Sequence, residues 1–229
     1  MKERLARAML EKVKAIGFDL DGTLLDNLSQ LLKAWKLALE SMGVKVESEI
    51  EIMKHFGRRT TDIAMEFTGN LNDARMLVET KDRLYDELWP KHSRLFPGVA
   101  EVLAGVKRRG YLCGVASSNK RKRIERILIH FGIIKNVDAV VGYDEVERGK
   151  PHPDMLLKLA ERLGVKVSQL AYVGDSLYDV EMVRRAGGIS ILIPSSLPYD
   201  VQDRNLKAKP NYTLKNIREV LSLLPAVSK

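Results

Sequence analysis

Five short apolar runs, rich in β-branched residues, punctuate the chain: VKAIGFDL (13–20), YLCGVASS (111–118), DAVVG (138–142), LAYVGD (170–175) and ISILI (189–193). Each has the length and composition of a buried strand. Between the later runs the apolar positions change to a helical period. In 120–131, Ile124, Ile127, Leu128 and Phe131 share one helix face, with Ser118 or Asn119 available as N-cap and Gly132 as a stop. Residues 153–163 and 177–186 repeat the pattern and end at Gly164 and Gly187, and Leu214, Ile217, Leu221 and Leu224 mark a last helix. Strand alternating with helix predicts a parallel sheet covered by helices on both faces.

The interval after the first strand breaks this rhythm. Residues 27–92 show no strand pattern and carry helical stripes instead: Leu28, Leu31, Leu32, Trp35, Leu39 and Met42, then Leu77, Leu84 and Leu88. That is more chain than a crossover connection needs. The pattern therefore predicts an α/β, Rossmann-like core of about five strands made of residues 1–26 and 93–229, with an all-helical cap domain, 27–92, inserted into it and closing near LFPGV (95–99).

Composition narrows the setting. The chain has 229 residues, 45% of them hydrophobic, and no apolar stretch approaching the roughly 20 residues of a membrane span. Its opening, MKERLARAMLEKVK, lacks the apolar segment of a secretory signal, and the single Cys113 excludes an intrachain disulfide, so a cytoplasmic protein is expected. Cys113 falls on a buried strand and reads as core. Three glutamines, one cysteine and 30% charged residues lean towards a thermophilic source. The formal charge of +8 is concentrated, with eight basic residues and one acid, Glu125, between 107 and 126. No zinc-finger, RNA-binding or helix-turn-helix pattern accompanies that run, which reads as solvated helix surface rather than a nucleic-acid face.

The chemistry gathers at strand ends, where ligands of an open parallel sheet bind. The first run ends in Asp19, Asp21 and Thr23, the second in Ser117, Ser118 and Asn119, and the fourth in Asp175, with Asp179 following; GKPHPD, with Lys150, comes just after the third. Asp19 and Asp21 alone would be a polar turn whose like charges repel. Several carboxylates in one crevice need a cation, and an all-oxygen set suits Mg²⁺. A lysine and hydroxyls beside them suit a phosphate. One aspartate can then attack phosphorus while another moves the proton.

DLDGTLLD, VASSN, GKPHPD and VGDSLYD, in this order, resemble the four motifs of the haloacid dehalogenase-like hydrolases, in particular the helical-cap phosphatases that include phosphoglycolate phosphatases and β-phosphoglucomutases. The resemblance implies Asp19 as nucleophile and Asp21 as general acid/base, its carbonyl also offered to Mg²⁺. It implies Thr23 as the residue orienting Asp21. Ser117, Ser118, Asn119 and Lys150 would bind the phosphate, and Asp175 and Asp179 would complete the metal site with Asp19. The reaction implied is Mg²⁺-dependent hydrolysis of a small phosphate monoester, phosphoglycolate- or sugar-phosphate-like, through an aspartyl-phosphate, by a monomer or homodimer.

Asp21 argues against a dehalogenase, since a leaving halide needs no proton. Ten residues after it, where the mutases of the family carry a histidine, stands Leu31, which argues against a phosphomutase. A nucleic-acid-end phosphatase is the other alternative, resting on the basic run. In the cap, HFGRRTTD (55–62) offers Arg58, Arg59 and Thr60 as readers of the leaving group. Lys33 and Lys36 occupy the region where phosphonatases place an imine-forming lysine, but exposed helix lysines are common. Asn27 carries no assignment. PSSLPYD (194–200) is a loop at the rim of the expected crevice.

Overall fold

The computed structural model describes residues 10–194, 201–202, 205 and 207–225, so all of the 194–200 loop except Pro194 lies outside the described residues. Along the chain the strands are β1 (Ala15–Phe18), β2 (Leu25–Asp26), β3 (Arg94–Leu95), β4 (Leu112–Ser117), β5 (Ala139–Gly142), β6 (Leu170–Gly174), β7 (Ile189–Leu192) and β8 (Tyr212–Thr213). The main sheet runs β5-β4-β1-β6-β7-β8, with every pair parallel. All five expected strands are there. The sixth, β8, is too short to leave a pattern in the sequence.

β1 sits at the centre, with Phe18 level with both Val115 and Val173. From β1 the chain fills β4 and β5 on one side, then crosses back to β6 and β7 on the other. Such a switch in strand order opens a crevice beyond the carboxyl ends. The flush register places Asp19, Ser117 and Asp175 at that edge, at or just beyond three adjacent strand ends.

The helices are α1 (Leu28–Ser41), α2 (Glu49–Met53), α3 (Thr60–Thr68), α4 (Leu71–His92), α5 (Val99–Arg108), α6 (Arg121–His130), α7 (Asp154–Arg162), α8 (Leu177–Ala186) and α9 (Glu219–Leu223). Strand residues alternate between two clusters. Ile16, Phe18, Cys113 and Val115 pack with Val102 and Val106 of α5 and Ile124 and Ile127 of α6. Ala15, Ala116, Val141 and Tyr172 pack with Leu156 and Leu159 of α7 and Met182 and Val183 of α8. Cys113 is fully buried, and burial pushes its thiol up to about 12, which suits an inert core residue.

Residues 27–92 form helices only. α1 and α3 both pack against α4, through Trp35, Leu39, Ile63, Leu77 and Tyr85. The two chain crossings into and out of this helical segment lie side by side: β2 pairs antiparallel with β3, and Arg94 Nε is 3.0 Å from Asp26 Oδ2.

Two local expectations fail for identifiable reasons. Leu214 is not helical, because its amide donates to the Leu192 carbonyl (2.9 Å) and extends the sheet, leaving only Glu219–Leu223 as helix. Neither Ser118 nor Asn119 caps α6. Lys120 holds that position without a side-chain bond, and Asp144 Oδ1 accepts from the Arg121 amide at 2.8 Å instead. The two side chains expected to cap are engaged elsewhere.

Candidate active site

Asp19 follows β1 directly, its amide still bonded to the Val173 carbonyl at 2.8 Å. It is 3% exposed. Lys150, brought in by the loop after β5 and 1% exposed, sets Nζ 2.8 Å from Asp19 Oδ1 and 2.7 Å from Asp179 Oδ1. The helix signal of α8 fixes Asp179: Ser176 caps the helix and accepts from the Asp179 amide, while Asp179 Oδ2 accepts from the Ser176 amide at 3.1 Å. One carboxylate oxygen is thereby consumed by the cap and the other is aimed at Lys150. The glycines of the motifs serve the same crowding. Gly22, at φ +76°, lies so close to Asp175 Oδ2 that a Cβ would collide with it, and a Cβ on Gly174 would collide with Asp179.

Asp19, Asp175 and Asp179 are all buried and each brings a carboxylate oxygen within 4.8 Å of the others. Three carboxylates therefore face one ammonium in a desolvated site. Burial pushes Asp19 up to about 7; Lys150 opposes the rise, and Asp179 and Asp21 add to it. For Lys150 burial works against the charge, but Asp179 and Asp19 outweigh it and hold its pKa well above the ordinary lysine value. The site is short of positive charge and all its free ligand atoms are oxygens, which fits a hard divalent cation such as Mg²⁺.

Asp21 is half-buried and held on both oxygens. Asn119 Nδ2 donates to Oδ2, while Asn27 Nδ2 (2.5 Å) and the Tyr85 hydroxyl (3.4 Å) donate to Oδ1. Asn27 also donates to Tyr85, and Asn119 Oδ1 accepts from Arg123 Nη1, which fixes the orientation of that amide. The hydroxyls of Thr23 and Ser118 have partners that the motifs alone did not indicate, although Ser118 also lines the cavity. Thr23 donates to Asp175 Oδ1 (3.4 Å), since the turn at Gly22 carries it to the β6 side. Ser118 donates to the Gly57 carbonyl (2.7 Å), so its hydroxyl ties the sheet edge to the helical segment. Ser117, 1% exposed at the end of β4, accepts from the Asn119 amide and lines the cavity.

Opposite this wall the helical segment closes a narrow cavity, with about 40 Å³ open to the centre of a water molecule. Leu31, Trp35, Phe56 and Ile63 make that side apolar, with Arg58, Thr60 and Lys81 among them. Of the three expected leaving-group readers, Arg58 and Thr60 line the cavity. Arg59 does not: its guanidinium binds Asp62 (3.0 Å) and the Glu147 carbonyl (3.1 Å). Arg58 is itself held by His55 and Glu66. Lys36 pairs with exposed Glu49, and Lys33 is exposed, so neither reaches the cavity.

Sequence reasoning passed over Asn27, Lys81, Tyr85 and the ion pairs of Arg123. Arg123, 7% exposed on α6, grips Asp86 with Nε (2.9 Å) and Nη2 (3.1 Å) and reaches Asp82 at 3.0 Å, joining α6 to α4. It corrects the reading of the basic run as wholly solvated. Lys107 pairs with Asp138, and Arg121 with Glu125 and Glu145, so several of these charges have partners within the chain. One signal for Arg123 was in the sequence: it stands four residues before Ile127, on the flank of the apolar face of α6.

A doubly wound parallel sheet with a buried aspartate–lysine cluster at its switch point, under a helical lid, defines a class of hydrolase. The chain belongs to the haloacid dehalogenase-like hydrolases, whose family model matches residues 16–193. A protein of Caldanaerobacter subterraneus subsp. tengcongensis, provisionally named pyrophosphatase PpaX, is 31% identical over 93% of this chain and 95% of its own length. The phosphoglycolate phosphatase of Escherichia coli K12 is 27% identical over 93% of each chain. The crystal structure of a predicted phosphoglycolate phosphatase from Haemophilus somnus superposes with a TM-score of 0.82 and 25% identity, covering 93% of this chain and 98% of that one. Among the described residues no helix is long and apolar enough to cross a membrane.

Proposed function

We propose that this chain is a Mg²⁺-dependent phosphatase acting on a small phosphate monoester through a phosphorylated Asp19. The observation that carries the reading is the buried cluster in which Lys150 bridges Asp19 and Asp179 beside Asp175. Phosphatase names among the relatives and the family membership support it. In this reading residues 1–26 and 93–229 form the catalytic core and 27–92 the cap, a division supported by the paired crossings at β2 and β3.

Asp19 attacks phosphorus, and the bond from phosphorus to the leaving oxygen breaks. Asp21, held by Asn27, Tyr85 and Asn119, delivers the proton to that oxygen. It then takes a proton from the water that opens the aspartyl-phosphate, releasing phosphate and restoring Asp19. Lys150 and Ser117 hold the phosphoryl oxygens. Asp19, Asp175, Asp179 and the Asp21 carbonyl would hold Mg²⁺, which when bound supplies positive charge to the transferring phosphoryl and keeps Asp19 ionised. Leu31 gives the cavity no second proton carrier at the position where the mutases have one, which favours hydrolysis over phosphoryl return.

With Mg²⁺ the protein should release phosphate from p-nitrophenyl phosphate and from some member of a panel of phosphorylated metabolites. EDTA should abolish turnover, and calorimetric titration of Mg²⁺ into stripped protein should show one site that Asp175→Asn loses. Turnover that survives EDTA sinks the metal assignment.

A further inference from the structure

Lys81 is a buried cation with too few partners. It lies on α4, 2% exposed, and its Nζ is 3.3 Å from Asp82 Oδ1. Among the described residues this is its one hydrogen-bond partner, and the contact is long. An ammonium carries three donors. Asp82 is already claimed by Arg123 at 3.0 Å, so it does not compensate Lys81 alone. Besides Arg123, which shares Asp82 with it, the ammonium faces the rings of Trp35 (5.6 Å) and Tyr85 (5.2 Å). Burial drives the Lys81 pKa down; Asp82 opposes the fall, the neighbouring Arg123 adds to it, and Asp21 opposes it to a smaller degree. The side chain lines the same cavity as Asp19, Asp21 and Ser117, on the opposite wall.

A desolvated cation whose spare donors border a cavity is a receptor for an anion. The transferring phosphoryl already has its own cation in Lys150, 2.8 Å from Asp19. Lys81 comes from the helical side, where the leaving group of an ester bound at Asp19 must lie. Apart from Arg58, itself held by His55 and Glu66, and Thr60, the residues that line this wall with Lys81 are apolar and offer few hydrogen bonds to the hydroxyls of a neutral sugar, and the cavity is small. We infer that Lys81 is a specificity-determining residue that binds a second anionic group on the leaving side of the substrate, selecting compact phosphate compounds that carry a carboxylate or a second phosphoryl over neutral esters of equal size. This rests on the phosphatase reading above and names the substrate class of that site.

The test compares 2-phosphoglycolate with ethyl phosphate, and pyrophosphate with methyl phosphate, with Mg²⁺ present, each preference being read against the same ratio in Lys81→Met so that intrinsic leaving-group reactivity cancels. Wild-type kcat/KM should favour the second anion in one of the two by roughly tenfold to a hundredfold more than Lys81→Met does, the range of a hydrogen bond to a charged group. Which comparison shows the preference identifies carboxylate or phosphoryl as its source. Lys81→Arg should restore part of what Lys81→Met loses. Asp82 keeps Arg123 in both variants, so the ion cluster retains its link to α6. A wild-type ratio that Lys81→Met leaves unchanged in both comparisons, an equal loss on charged and neutral esters included, would overturn the inference. Calorimetry of the same compounds in an Asp19→Asn background separates the two readings. If the wild type hydrolyses none of them but the affinity ratio still depends on Lys81, the phosphatase reading fails and the anion site stands.

Discussion

The two walls of the cavity are built on different physical terms. The sheet wall is polar and dense in charge: Lys150 lies 2.7–2.8 Å from Asp19 and Asp179, a third carboxylate, Asp175, stands beside them, and Asp21 is held by three donors. The helical wall is apolar, with a single under-partnered cation, Lys81. The first wall comes from ends of adjacent strands in one register, so its geometry is rigid to the extent that the sheet is. The second is assembled from α1, the 54–59 turn, α3 and α4, and is tied to the core by side-chain contacts such as Ser118 with Gly57, Tyr178 with the Lys54 carbonyl, Arg59 with the Glu147 carbonyl and Arg123 with Asp82 and Asp86. On the proposed reading, chemistry that needs sub-ångström placement falls to the strand-end wall and recognition to the helical wall.

Asp19→Asn tests the sheet wall and should have the largest effect. It removes the nucleophile without changing shape, so kcat should fall at least roughly a thousandfold on every phosphate ester. Stability should not fall with it, because burial disfavours the Asp19 carboxylate and pushes it up to about 7 in metal-free protein. Thermal melts of both proteins after EDTA treatment check this. A variant that loses activity because it unfolds would break the claim that this wall is held by its register.

Arg123→Met tests the join between the walls. Breaking a buried pair by removing one partner costs about 3 kcal/mol, and Arg123 serves both Asp82 and Asp86. Urea unfolding near neutral pH should show a deficit of that order. Acid should shrink it. Burial raises the Asp82 pKa, but Lys81 and Arg123 outweigh burial and hold it below the ordinary 3.8. A depressed carboxylate contributes stability that is complete above pH 3.8 and fades as pH falls through its folded value. Variant and wild type should therefore converge below about pH 3.8, and a constant gap across pH would show that Arg123 acts through packing rather than charge.

The sheet wall was legible because strand ends are local features. Apolar runs place the strands, and the polar residues that follow them fall at the same edge once the sheet is parallel. Lys150, Asp175 and Asp179 were recoverable in this way although they come from distant segments. The capping of α8 by Ser176 even explains which oxygen of Asp179 is left for Lys150. The helical wall was not legible in the same sense. Lys81 and Asp82 sit on a helix with lysines, glutamates and aspartates at many positions, and only the packing of α4 against α1 and α6 decides which of them are buried. Arg58, Arg59 and Thr60 are consecutive in the chain, yet two face the cavity and one turns away. Thr23 and Ser118 show a related limit: a short hydroxyl takes whichever acceptor the turn presents, here Asp175 and the Gly57 carbonyl, while Ser118 still lines the cavity.

Asn27 crosses the boundary between the two walls and gives the smallest and most discriminating test. It stands just before α1, at the first position of the helical segment, and is fully buried. Its Nδ2 serves Asp21 Oδ1 and the Tyr85 hydroxyl rather than capping its own helix. If Asp21 moves the proton as proposed, the Asn27 side chain serves that step from the helical segment. Asn27→Ala removes a donor from Asp21 while Asn119 and Tyr85 remain, a loss of about one hydrogen bond to a charged group, so kcat should fall about tenfold. KM should hold, since Asn27 is not among the residues lining the cavity. Asn27→Ser, which restores a short donor, should recover part of kcat. A purely structural role would instead lower the melting temperature and leave the kcat of the folded fraction unchanged. The strict division into a chemical wall and a recognition wall would then hold, with the boundary at Asp26 and nothing of the helical segment entering the reaction itself.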